Sequence, residues 1–238
     1  MSDLMEPGER ISQRELPDHR FTPEIRERNR FYFFMRGFIR IINRLYFRME
    51  SYGAENLPAT GGVLVVANHA SHLDPTSIAA NLKREVHFLA KEELFVGWFG
   101  KFLRAVNSHP LRRSGIDRYA LRLCGSILRQ GHVLMVFPEG ERTKTGELLE
   151  AKPGAALIAD HAEAMLLPAY IWGSFEAMPV GSSFAKPHKL RLFYGKPFRL
   201  DEVKVASQHK KEFYEKAGEL IMERIGELEQ QARAMAKK

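Results

Sequence analysis

The sequence has a single cysteine, Cys124, among 238 residues. One thiol forms no internal disulfide and builds no multi-cysteine zinc site, so the fold must rest on a packed core, and the chain suits a reducing compartment. Long apolar runs are also missing. Residues 56–73, NLPATGGVLVVANHASHL, contain no Asp, Glu, Lys or Arg, but Pro58 and Gly61-Gly62 mark a turn, and Asn68, His69, Ser71 and His72 follow. The apolar remainder, Val63 to Ala67, is long enough for a strand and too short to span a bilayer. The opening MSDLMEPGERISQRELPDHR has no apolar segment behind a basic start and does not read as a secretory signal. A G-x-S-x-G elbow is absent, and Cys124 falls inside the amphipathic pattern DRYALRLCGSILRQ, so no enzyme nucleophile stands out.

What is present is the composition of one main globular domain, 45% apolar and 27% charged. The net charge of +7 and a pI near 9.5 call for an anionic partner, whether nucleic acid, anionic membrane or phosphorylated substrate. The location of the charge discriminates among them. Residues 20–50 hold eight Arg against three Glu, and residues 21–50 hold no Lys. Arg36, Arg40, Arg44 and Arg48 form a stripe at every fourth position. Phe33, Phe34, Phe38, Ile41, Ile42, Leu45 and Tyr46 cover an apolar surface too wide for a helix that merely rests on a soluble domain. Arginines reaching phosphate headgroups while aromatics enter the acyl region satisfy both faces; an amphipathic helix packed on the core with a basic edge is the competing reading. Charge interrupts the segment too often for a span, and the apolar interleaving argues against a nucleic-acid partner. The expected organisation is a leader at 1–20, an amphipathic membrane-interface helical motif at 21–50, and an α/β domain at 51–238 closed by an amphipathic helix.

From residue 51 onward, short apolar runs alternate with helical patterns. Strands are expected at 62–67, 86–90, 108–111, 133–137, 165–172 and 190–194, and helices at 75–83, 92–106, 117–130 and 153–162. This rhythm predicts an α/β fold with a largely parallel, mixed sheet flanked by helices. Near the C-terminus, Phe213, Ala217, Leu220, Ile221, Ile225 and Leu228 recur at helical spacing.

Three stretches can carry chemistry. In VLVVANHASHLDPTS, residues 63–77, Asp74-Pro75 is a good helix start, so Asp74 serves as an N-cap in one reading. In the other, His69 and Asp74 hydrogen-bond across the strand-to-helix turn, leaving one imidazole nitrogen free as a base. His72 adds a second imidazole, but two imidazoles and one carboxylate on a tight turn make a poor metal site, and no metal is expected. A base without an enzyme nucleophile implies a substrate hydroxyl. The second stretch, VFPEGERTKTGELLEAKPGAA at 136–156, places Glu139, Gly140, Arg142, Lys144 and Lys152 after a strand, where α/β domains bind ligands and where a solvated loop is equally ordinary. In the third, SHPLRRSGID at 108–117, Arg112 and Arg113 follow a short strand and join Lys91 as candidates for an anion pocket.

In order and spacing these pieces resemble the glycerolipid acyltransferase family. NHASHLD resembles its N-H-x4-D motif, with His69 and Asp74 in the matching positions. PLRR is similar to the second block, ending on Arg113, and FPEGER to the third, through Phe137, Pro138, Glu139, Gly140 and Arg142. LLPAYIWG is similar to the fourth, with Pro168 at its proline. Two positions depart from the family pattern: Glu141 stands for the usual Thr, and Asn107 where Gly is common.

The resemblance implies a glycerol-3-phosphate acyltransferase-like fold and transfer of a fatty acyl group from acyl-CoA or acyl carrier protein to a lysophospholipid hydroxyl. The first expected acceptor is 1-acyl-sn-glycerol-3-phosphate; another lyso-lipid, transacylation or an inactive lipid-binding role are the alternatives. It implies His69 as base and Asp74 as its orienting carboxylate. Arg113, Glu139, Gly140 and Arg142, with Lys91, Lys152 and Pro168, make up the substrate site. No cofactor beyond the acyl thioester is implied. The anionic membrane surface is the expected partner, with the protein monotopic on the cytoplasmic face.

Overall fold

Val63 to Ala67 are fully buried, as five consecutive apolar residues must be in a strand covered on both faces. The computed structural model, which describes residues 29–111 and 118–236, places this strand near the middle of a seven-stranded sheet. The strands are β1 (Glu50–Tyr52), β2 (Val63–Ala67), β3 (Val86–Lys91), β4 (Ser108–Leu111), β5 (Val133–Val136), β6 (Met165–Trp172) and β7 (Arg191–Tyr194), in the order β1-β7-β6-β2-β5-β3-β4. All neighbours run parallel except β6 and β7. The helices are α1 (Arg30–Leu45), α2 (Asp74–Asn81), α3 (Gly97–Ala105), α4 (Arg118–Arg129), α5 (Gly154–Ala162), α6 (Ser174–Ala177), α7 (Asp201–Ala206) and α8 (Lys210–Ala236).

The two-residue period of the strands sorts the core into two layers. Leu64, Val66 and Leu134 face the apolar sides of α4, α5 and α8, whose Ile127, Ile158 and Ile221 are fully buried. Val63, Val65 and Met135 face the other way, onto Ile78 of α2 and Ile42 of α1. The expected α/β architecture and the closing helix are therefore present. Strand and helix ends differ from the sequence reading by one or two residues, as ends do. β1, only three residues long, leaves no pattern in the sequence. The helix expected over 92–106 is divided: a 3-10 turn spans Glu92–Leu94, and α3 starts only at Gly97, whose φ of +56° breaks the run.

α1 is docked on the domain by polar contacts that its apolar pattern conceals. Asn29 caps it by accepting from the Tyr32 N–H, and the Asn29 amide donates to the Ala105 carbonyl and to Asn107 Oδ1. The Tyr32 hydroxyl accepts the Val86 N–H, and buried Asn43 accepts from Ser77. Arg36, counted in the arginine stripe, turns inward and donates to the Leu82 and Lys83 carbonyls, the open C-terminal end of α2. Asn107 also resolves one departure from the family pattern. Its φ of +60° is a left-handed conformation that Gly adopts freely and Asn tolerates, and its amide donates to Glu85 at 3.2 Å.

Candidate active site

β2 and β5 are parallel neighbours with Val66 beside Val136, so the chain leaves both at the same edge of the sheet. That edge brings His69, two residues beyond β2, onto Phe137, one residue beyond β5. Their rings stack at 3.9 Å between centroids and 13° between planes. Asn68 prolongs the sheet by one step: its side-chain oxygen accepts from the Ile171 N–H at 2.9 Å and its amide donates to the Ile171 carbonyl at 3.1 Å. The backbone entering His69 is thereby fixed.

Asp74 lies fully buried at the start of α2 and does not act as an N-cap to it. Its carboxylate points back into the preceding turn, where one oxygen, Oδ2, accepts from the N–H groups of Ala70 and Ser71, each at 2.7 Å, and faces His69 Nδ1 at 3.0 Å. Short bonds from several donors to one ionised oxygen hold it rigidly. With Nδ1–H donated to this oxygen, the lone pair of the neutral ring lies on Nε2, and the ring is partly open to solvent. Such an imidazole can remove a proton from a bound hydroxyl and hold the resulting charge against Asp74.

The loop after β5 grips the same turn from the other side. Glu139 is buried, and its two oxygens accept from the N–H of His69 at 2.8 Å and of Leu149 at 3.0 Å. Burial pushes its carboxyl up to about 7, against the lowering effect of those two donors. Thr143 donates its N–H to the His69 carbonyl at 2.8 Å. Both backbone polar groups of His69 are thus taken by this loop. Glu139, expected in the substrate site, has both oxygens engaged in holding the histidine turn. In the sequence Phe137 reads only as a motif position, and nothing in the motif pattern singles out Thr143. Its hydroxyl, which accepts from the N–H of Thr145 and Gly146, was the available signal for a structured turn.

The remaining candidates separate. Gly140 has φ +72°, and a Cβ there would come within 2.7 Å of Lys152 Cδ, so glycine lets the lysine stem cross the loop. Lys152 Nζ then reaches Glu141 at 2.9 Å in an exposed ion pair. Arg142 lies close enough to His72 for its charge to lower that imidazole's pKa, after the larger effect of burial. Lys91 is exposed at the carboxyl end of β3, on the same sheet edge. Pro168 does not join them. It is buried within β6 beside Val66, and its ring packs 2.8 Å from where a Cβ of Gly195 would be. Arg112 and Arg113 lie outside the described residues. Cys124 is buried, and its thiol is pushed up to about 12 by that burial, which leaves it inert.

A carboxylate-oriented histidine beside a basic loop, at the carboxyl ends of parallel strands, places the chain among α/β enzymes that bind ligands at the strand ends. Comparison with known proteins narrows this. The family model described as Acyltransferase matches residues 48–172, just over half the chain. A 1-acyl-sn-glycerol-3-phosphate acyltransferase of Bacillus subtilis is 30% identical over 200 residues, covering 83% of this chain and 96% of its own. The chloroplastic 1-acyl-sn-glycerol-3-phosphate acyltransferase LPAT1 of Arabidopsis thaliana is 32% identical over 162 residues, 64% of this chain and 44% of its own. Among solved structures, the 1-acyl-sn-glycerophosphate acyltransferase PlsC from Thermotoga maritima superposes with a TM-score of 0.66 at 26% identity, covering 87% of this chain and 84% of that one. The chain belongs to the acyltransferase family and is an enzyme of acyl transfer.

Proposed function

We propose that the protein moves a fatty acyl group from an acyl thioester, acyl-CoA or acyl carrier protein, to the free hydroxyl of a lysophospholipid, and that 1-acyl-sn-glycerol-3-phosphate is the principal acceptor. The observation that carries this is the His69–Asp74 pair, 3.0 Å apart, with the carboxylate fixed by two further N–H donors. The names and coverage of the Bacillus and Thermotoga relatives support the acceptor. His69 Nε2 takes the hydroxyl proton as the oxygen attacks the thioester carbonyl, and Asp74 stabilises the imidazolium. Collapse of the tetrahedral intermediate breaks the C–S bond, and His69 returns the proton to the departing thiolate. The products are the diacyl lipid and the free thiol, and no acyl-enzyme forms. Arg142 and Lys152, with Lys91 and Arg113, bind the acceptor phosphate. Glu139 positions His69 and does not touch substrate.

The exposed apolar side of α1, with Arg40 and Arg44 beside it, holds the enzyme as a monotopic protein on the anionic, cytoplasmic face of a membrane. Among the described residues no helix is long and apolar enough to cross a bilayer. One observation favours a second reading of the acceptor: Glu141 already occupies Lys152, which weakens the pull on a phosphate and suits a less anionic lyso-lipid.

The test is thiol release from palmitoyl-CoA by the purified protein, with and without lysophosphatidic acid, for wild type and His69→Ala. Release that needs both acceptor and His69 is expected. Release without acceptor identifies a thioesterase instead.

A further inference from the structure

α1 turns five large side chains outward, Phe31, Phe34, Phe38, Ile41 and Leu45, at spacings of three, four, three and four residues. Phe34 and Leu45 are 70% and 74% exposed, so none of the other described residues covers the stripe. A second uncovered apolar group stands on a different element. At the start of α3, Val96 is 72% and Trp98 79% exposed, with Phe99 beside them. The two groups are continuous: Phe31 meets Phe102 edge to face at 6.2 Å, and Phe102 stacks on Phe99 at 6.2 Å.

Charge selects the occupant. Neither α1 nor α3 contains an Asp or Glu, while Arg40 and Arg44 on α1 and Lys101 and Arg104 on α3 are exposed. The acids nearest α3 in sequence, Glu92 and Glu93, precede it on the 3-10 turn, and those nearest α1, Glu27 and Glu50, fall outside its span. Indole and phenyl groups set among cations, with no anion on either helix, match the boundary between lipid headgroups and acyl chains. A protein partner would have to bury Trp98 in a pocket and pair these cations with acids. α3 also follows the carboxyl end of β3, the sheet edge that carries His69.

We infer that the tip of α3, Val96 with Trp98 and Phe99, is a second membrane contact, so that the enzyme rests on an anionic bilayer through α1 and α3 together. This rests on the reading above that α1 engages lipid. α3 leaves the sheet edge that carries His69, so a bilayer contact at its tip brings the site mouth to the surface from which an acyl-chain-bearing acceptor enters.

Trp98 and Trp172 are the two tryptophans of the chain, so Trp172→Phe leaves Trp98 as a single reporter. The full chain is mixed with vesicles of phosphatidylcholine and phosphatidylglycerol. The expected result is a blue shift of Trp98 emission, quenching by lipids brominated on the acyl chain, and at least about ten-fold weaker vesicle binding by Val96→Glu/Trp98→Glu at an unchanged melting temperature. Vesicle binding with unshifted, unquenched Trp98 overturns the α3 contact and leaves α1 standing. Quenched Trp98 with undiminished binding by Phe34→Asp/Ile41→Asp upholds the α3 contact and overturns the role of α1. Absence of any vesicle binding overturns both, and a Trp98 shift produced only by an acidic acyl carrier protein assigns the patch to protein docking.

Discussion

The N–H of His69 donates to Glu139 Oε1 at 2.8 Å, joining the end of β2 to the loop after β5 across 70 positions of sequence. The same carboxylate accepts from Leu149, so Glu139 is a buried strut between two segments of the site. A strut of this kind has an unusual signature, because what it costs and what it supports can be measured separately.

In Glu139→Gln the buried charge disappears, but the new NH2 must face one of two N–H donors. Relief of charge burial and loss of an acceptor oppose each other, each worth about 1–3 kcal/mol, so the melting temperature moves little. The backbone at His69 shifts, and kcat is expected to fall about ten-fold or more with KM held. The pH dependence supplies a check. With a folded-state value of about 7 against an ordinary 4.5, wild-type Glu139 holds its proton more tightly when folded. Its contribution to stability is complete below pH 4.5 and is lost as pH rises to 7, and the Gln variant lacks this loss. Urea unfolding of both proteins at pH 5 and pH 8 decides the matter.

A buried histidine pair at the opposite edge of the sheet has the reverse sign. His87 on β3 faces His109 on β4 at 2.9 Å, with the His132 ring 5.2 Å from His87. Burial pushes His87 down to about 3 and His109 to about 4, the nearby imidazoles adding to the effect on His87. The unfolded chain takes these protons near pH 6.5, so the pair's contribution is intact above that value and is lost as pH falls toward 4. Where both titrate, the slope is about 1.4 kcal/mol per pH unit for each proton. Replacing both by Leu exchanges a paired polar couple for apolar groups, a nearly neutral change at pH 8. Unfolding midpoints of this double variant are expected to change less than wild type between pH 6.5 and 5.

Much of this site is legible in the sequence, for identifiable reasons. The His69–Asp74 pair is local, since four intervening residues close a strand-to-helix turn, and side-chain chemistry alone suggests the bond. Glu139 is different. A carboxylate in a charged loop reads as solvated, and only the adjacency of β2 and β5 shows that it is buried beneath His69. Pro168 is legible as a motif position but not as a core residue, because its burial depends on its pairing beside Val66 and on the close approach of Gly195, distant in sequence. The periodicity of α1 identifies an amphipathic helix, but the apolar surface read from it includes Ile42, which packs on the core, and omits the exposed Phe31, and the inward turn of Arg36 depends on where α2 ends.

Glu141 stands where the family commonly has Thr, and it occupies Lys152 at 2.9 Å, an attachment that holds its carboxyl below the usual carboxylate range. Both groups are exposed, so the pair is weak and exchangeable. Glu141→Thr is expected to free Lys152 for the acceptor phosphate, lowering KM for lysophosphatidic acid roughly two- to ten-fold at unchanged kcat, with the gain shrinking as salt is raised. An unchanged KM at low salt removes Lys152 from the acceptor site.

Asp74 offers the cleanest separation of geometry from charge. All three of its donors converge on Oδ2, so an Asn with its carbonyl oxygen in that place accepts the same bonds from Ala70, Ser71 and His69. What Asp74→Asn removes is the negative charge opposite the imidazolium. The turn and the melting temperature are expected to survive, KM for the acyl thioester to stay within about two-fold, and kcat to fall by about 10²–10⁴. Asp74→Ala should instead lower both kcat and the melting temperature, because two backbone N–H groups lose their acceptor inside the core. Comparing the two variants by steady-state thiol release and thermal unfolding separates the roles. If Asp74→Asn retains wild-type kcat, the carboxylate is an architectural acceptor and the imidazole works without its charge.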